Sequence, residues 1–176
     1  MAVFQGVMKP LLSPFEQTAE NRKLTISVIQ VAHEVRRLTA SRTSPIDELL
    51  GILVVDDFAP FRETLCSFFL GYESMVIVGE AADGEAAIEL AFRLTPHVII
   101  MDVKMPRVSG IEATRRIKRF LPSVHIIGVS TQDDSVIRES MKAVGSSHFL
   151  TKDCAHTLPH VIATITGRLI TKADFS

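Results

Sequence analysis

From Leu50 onward this chain alternates short Val/Ile-rich runs with helical patterns, and no other feature constrains its fold as tightly. The apolar runs read as strands over Gly51–Val55, Met75–Glu80, His97–Met101, Val124–Val129 and Ser147–Leu150. They lack polar alternation, which is the pattern of strands covered on both faces. Helical segments fall between them near Pro60–Leu70, Gly84–Leu94, Val108–Phe120, Ser135–Val144 and Ala155–Ile170. Asp83 precedes the second helix as a capping residue, with Ala87, Leu90, Ala91 and Leu94 on one face. Pro96 and Pro122 end the second and third helices, because proline cannot continue one. Such repeats predict an α/β fold: a doubly wound five-stranded parallel sheet, order 2-1-3-4-5, with right-handed crossovers and helices on both faces.

A sheet of this kind brings the carboxyl ends of its strands to one edge, where ligands bind. Asp56 and Asp57 follow the first run, Asp102 the third and Lys152 the fifth. The strand order reverses direction between strands one and three, so Asp57 and Asp102 face each other there. Three carboxylates and an ammonium gathered at that edge suit a divalent cation and a phosphoryl group.

Composition removes several function classes. The chain has 176 residues, 47% of them hydrophobic and 22% charged, enough for one full domain and an extra segment. Its formal net charge is −1 and its Lys and Arg are scattered, so no basic patch argues for direct nucleic-acid binding. No apolar run approaches the ~20 residues that cross a bilayer, and no basic-then-apolar leader opens the chain. Cys66 and Cys154 show no metal-ligand spacing and read as reduced thiols of a cytoplasmic protein.

The domain expectation is an N-terminal extension over 1–49, the folded domain over 50–170 and a tail over 171–176. In the extension, Ser13-Pro14-Phe15-Glu16 reads as a helix start. Leu24, Val28, Val31, Val35 and Leu38 then recur at alternating spacings of four and three. Barely two heptads fall below what argues for a coiled coil, and β-branched residues such as Thr25, Ile26 and Ile29 lower helix propensity. The readings are a helix packed on the domain or on a second copy, giving a homodimer, or an unstructured arm. Ala40–Ser44 reads as a hinge.

The segments GILVVDDFAPFRETL, VIIMDVKMPRVSGIEATRRIK, IIGVST and SHFLTKD resemble the successive motifs of the response-regulator receiver, or CheY-like, domain. The resemblance covers about Gly51 to Ile170. It implies that Asp102 is the phosphoacceptor, taking a phosphoryl group from a sensor histidine kinase or phosphotransfer protein. It implies Mg²⁺ held by Asp57, Asp102 and the backbone carbonyl of Lys104, with Asp56 acting through a water. Lys152 would pair with a phosphoryl oxygen, and Ser130 would donate its hydroxyl to another, although Thr131 is adjacent. Phe149 holds the switch-aromatic position on a face built by the fourth helix, fifth strand and fifth helix. Lacking a hydroxyl, it reports only through packing. The resemblance thus implies a non-enzymatic cytoplasmic phosphorelay protein that signals to a downstream protein target by contact.

Two departures qualify this. Asp153 stands where the family often has proline, and with GIEATRRIK and VSTQDD the wording is closest to the NarL/FixJ branch. That branch normally adds a DNA-binding domain, yet only Thr171–Ser176 follow the last predicted helix, so the expectation is a receiver without one. The second departure is Lys104, a cation two positions past the phosphoacceptor, which with Gln132 is expected to modulate water access to the acyl phosphate. Alternatives are a degenerate receiver acting as a scaffold, or a transcription regulator lacking its DNA-binding domain. A haloacid-dehalogenase-like phosphatase would need D-x-D after strand one, and a flavodoxin-like carrier would need a phosphate-cradling loop where Asp56-Asp57-Phe58 stands. His156 and His160 are spaced for a metal but read as exposed, and His33-Glu34-Val35-Arg36 resembles a kinase phosphoacceptor box without its proline.

Overall fold

A computed structural model of the chain describes residues 49–172. The expected N-terminal helix, its Leu24–Leu38 stripe, the Ala40–Ser44 hinge and the His33 box lie outside the described residues. The elements are β1 (Leu50–Val55), α1 (Ala59–Phe69), β2 (Met75–Ala81), α2 (Gly84–Leu94), β3 (Val98–Asp102), α3 (Gly110–Phe120), β4 (His125–Ser130), α4 (Ser135–Ala143), β5 (His148–Thr151) and α5 (Leu158–Thr166). All neighbouring strands pair in parallel, in the order β2-β1-β3-β4-β5. This is the expected doubly wound sheet.

Its two faces explain the unbroken apolar runs. Every residue of β1 and β3 is buried. Ile52, Val54, Val98, Ile100, Ile127 and Val129 pack with Leu65 and Phe69 of α1 and Leu158 and Ile162 of α5. The alternate residues Leu53, Val55, Ile99, Met101 and Ile126 pack with Ala87 and Ala91 of α2 and Ala113 and Ile117 of α3. A third cluster joins Val103, Met141 of α4 and Phe149 of β5. The two edge strands, β2 and β5, mix buried and exposed positions.

Local chemistry sets the helix ends. Asp83 caps α2 as expected, its Oδ1 accepting the Ala86 N–H at 2.9 Å. Ser109 caps α3 and Asp134 caps α4 in the same way. Pro60 occupies the first turn of α1, where no amide donor is needed.

The structure corrects the last predicted helix. Lys152–Thr157 forms a 3₁₀ turn, and the α-helix runs only from Leu158 to Thr166. Pro159 lacks the N–H that would carry a helix in from Ala155, and Gly167, at φ 67°, ends it in a left-handed conformation. The chain after α5 instead ties back to the loop before β2, the Glu73 N–H donating to the Thr171 carbonyl at 3.1 Å. Strands three to five also start and end one residue later than predicted, so Asp102 and Ser130 are the terminal residues of β3 and β4.

Candidate functional site

The carboxyl ends of β1, β3, β4 and β5 converge on one edge, as the strand order requires. Asp56 and Asp57 follow β1; Asp56 is fully buried, whereas Asp57 is exposed. Asp102 ends β3 and is 3% exposed. One carboxylate oxygen from each of the three lies within 4.8 Å of the others. Among the described residues, this is the one group of three or more potential metal ligands that converges.

Lys152 enters the cluster from the turn after β5. Its Nζ lies 2.6 Å from Asp56 Oδ2 and 3.5 Å from Asp102 Oδ1. The closer contact is an ion pair without hydrogen-bond alignment, so Asp56 Oδ2 remains a buried oxygen with no directed donor. Asp56 Oδ1, by contrast, accepts the Phe58 N–H at 3.0 Å. Arg62 anchors the same loop by donating to the Asp56 carbonyl at 2.8 Å.

Burial pushes the Asp102 carboxyl up to about 6, and the neighbouring carboxylates of Asp56 and, less strongly, Asp57 add to the rise. The Lys152 ammonium and the Lys104 backbone N–H pull it down, but not enough to cancel that rise. One ammonium stands against three carboxylates. A cluster of oxygen donors with surplus negative charge and an undirected buried oxygen is a donor set suited to a hard divalent cation.

The remaining expected residues are placed around this centre. Ser130 is fully buried at the end of β4, and its Oγ accepts the Gln132 N–H at 3.4 Å. Thr131 is exposed, so of the two hydroxyls Ser130 is the one inside the fold. Lys104 and Gln132 are both exposed on the loops after β3 and β4. Phe149 is 5% exposed and packs with Met141 and Val103, its ring already turned inward. His156 belongs to the 3₁₀ turn and His160 to α5, both exposed, so the structure does not bring them to the acidic cluster.

Some neighbours of the site carry no sequence signal of their own. The Phe61 ring lies beneath Lys152, its centroid 4.9 Å from Nζ. The Arg138 guanidinium covers Phe149 at 4.9 Å. Arg107, at φ 64°, pairs with the capping carboxylate Asp83 and so fastens the loop after β3 to the start of α2.

Comparison with known proteins agrees with this geometry. Residues 52–163 match the response regulator receiver domain. The response regulator GacA of Pseudomonas aeruginosa is 33% identical over 104 residues, covering 59% of this chain and 49% of that protein. The chain thus spans about half the length of this curated relative. The response regulator domain of Thermotoga maritima CheB superposes with a TM-score of 0.61 at 32% identity, covering 68% of this chain and 96% of that one. The signal receiver domain of NarL from Mycobacterium tuberculosis gives 0.64 at 28% identity, covering 69% and 100%. With the motif match spanning the sheet from β1 to α5, the chain belongs to the response regulator receiver domain family.

Proposed function

We propose that this receiver accepts a phosphoryl group on Asp102 from the phosphohistidine of a sensor histidine kinase or phosphotransfer protein. An Asp102 carboxylate oxygen forms the new O–P bond as the P–N bond breaks, and the electron pair returns to the imidazole nitrogen. The observation that carries this reading is the Lys152 ammonium 3.5 Å from Asp102 Oδ1 inside a converging acidic cluster. Mg²⁺ held by Asp56, Asp57, Asp102 and the backbone carbonyl of Lys104 would supply the positive charge that lets a carboxylate meet a phosphoryl group. Lys152 balances a phosphoryl oxygen, and the buried Ser130 hydroxyl donates to another.

The same hydroxyl links chemistry to signalling. Ser130 Oγ now accepts from Gln132, the second residue of the loop leading into α4. Redirecting Ser130 toward a phosphoryl group shifts that loop and the packing of Met141 and Phe149 behind it. Phosphorylation adds about two negative charges and acts by weighting one arrangement of the α4-β5-α5 face over another. The output is contact with a downstream protein, not catalysis by this chain.

Intact-mass spectrometry after incubation with a small phosphodonor and Mg²⁺ tests the reading. A single Mg²⁺-dependent phosphoryl adduct on the wild type, absent from Asp102→Asn, is expected. A folded wild type that takes up no phosphoryl group, or an Asp102→Asn variant that takes up as much, would refute it.

A further inference from the structure

The Lys152 ammonium has a neighbour that is neither acid nor phosphoryl ligand. Its Nζ stands over the face of the Phe61 ring, 4.9 Å from the centroid, within the distance at which a cation is drawn to an aromatic quadrupole. The lysine side chain is only 17% exposed, which strengthens the attraction by limiting competition from water. The ring is also fixed in place. It lies in the first turn of α1, behind Pro60, and packs against the core around Leu65. The loop that delivers it is pinned by the hydrogen bonds of Asp56 with Phe58 and Arg62.

We propose that Phe61 is a positioning residue, its ring face forming a wall that holds the Lys152 ammonium beside Asp102. The inference rests on the reading of Lys152 as a phosphoryl partner. Lysine is a point charge on a flexible four-carbon stem, so its usefulness at a reacting centre depends on what restrains it. Asp56 restrains it here at 2.6 Å, but the same carboxylate is a candidate cation ligand. Whenever Asp56 turns to a cation, the ammonium loses its nearest partner. An aromatic face attracts the ammonium without neutralising it and without competing for the cation. The ring therefore keeps the charge available to the phosphoryl group in a way a carboxylate would not. A leucine at this place would fill most of the core volume but offer no quadrupole.

The test uses the full chain with acetyl phosphate and Mg²⁺. Phe61→Leu is expected to slow adduct formation roughly three- to tenfold, while Phe61→Tyr, which keeps the ring, holds the rate within about twofold. In a Lys152→Met background the Phe61→Leu change is expected to add nothing, because the interaction it removes is already gone. Equal slowing by Phe61→Leu in both backgrounds would mean that the ring acts by packing alone and would overturn the proposal. A second readout needs neither metal nor phosphodonor. In nuclear magnetic resonance spectra the Lys152 ε-methylene protons should be shifted upfield by the ring in the wild type and Phe61→Tyr, and return to ordinary values in Phe61→Leu. Ordinary values in the wild type would overturn the proposal outright. If the wild type takes up no phosphoryl group, the assignment of Asp102 falls by itself, and the methylene shift still decides whether Phe61 holds Lys152.

Discussion

The Arg138 guanidinium lies 4.9 Å from the centroid of the Phe149 ring, closing over a side chain that is 5% exposed. Arg138 also pairs with Asp133, in the loop that begins just after Ser130. One cation therefore touches both the loop expected to move and the aromatic expected to respond. Arg138→Ala should lower stability by about 0.5–1 kcal/mol, the worth of a partly exposed cation–π contact. Phe149→Ala should cost about 3–5 kcal/mol, because it empties a buried aromatic site beside Met141. Denaturant titrations with unchanged slope check both; an Arg138→Ala midpoint equal to wild type would show the stacking to be idle.

Gly110 approaches the backbone of Asp102 so closely that no side chain fits. A Cβ there would stand 2.0 Å from the Asp102 carbonyl oxygen, while the Gly110 N–H bonds the Val103 carbonyl at 3.0 Å. Gly110→Ala must displace the backbone of β3 or the start of α3. The expected cost is about 1–3 kcal/mol or more, with weakened Mg²⁺ binding because Asp102 and the Lys104 carbonyl move together. Thermal melts and a Mg²⁺ titration measure the two effects, and an unchanged pair of values would contradict the packing described.

How far the sequence revealed this depends on where each contact comes from. The strands were legible because β1 and β3 are buried on both faces, leaving an unbroken apolar run. Asp56, Asp57, Asp102 and Lys152 were legible because each stands at the end of such a run. The final helix is shorter than its apolar spacing predicts because Leu158, Val161, Ile162 and Ile165 keep a helical period that hides the 3₁₀ turn before them; Pro159 marks the change. Phe61 and Arg138 were illegible as site residues because their partners, Lys152 and Phe149, reach them only through tertiary packing.

Cys66 should be a slow thiol. Burial, followed by the charge of Glu80, pushes it up to about 11 from 9.0. The thiolate is the nucleophile, so roughly one Cys66 in a thousand is reactive at pH 8. Its alkylation by iodoacetamide should rise about tenfold per pH unit toward 11. The raised value also sets a stability sign: the contribution is complete below pH 9.0 and is lost as pH climbs toward 11. Peptide mapping of alkylated protein across pH 7–10 follows the rate, and a plateau near pH 8 would be incompatible with this environment.

Lys104 and Gln132 stand exposed on the loops after β3 and β4, the strands that end in Asp102 and Ser130. On the proposed reading of Asp102, exposed side chains on these two loops are expected to modulate how readily water reaches an acyl phosphate there. Shortening them should therefore change how long the adduct survives and leave its formation intact. Lys104→Asn and Gln132→Ala are each expected to speed loss of the phosphoryl group roughly two- to tenfold, equivalent to about 0.4–1.4 kcal/mol of barrier. Intact-mass time courses after removal of the phosphodonor measure this directly. Identical decay in wild type and both variants would show that water reaches the acyl phosphate by a path these loops do not control.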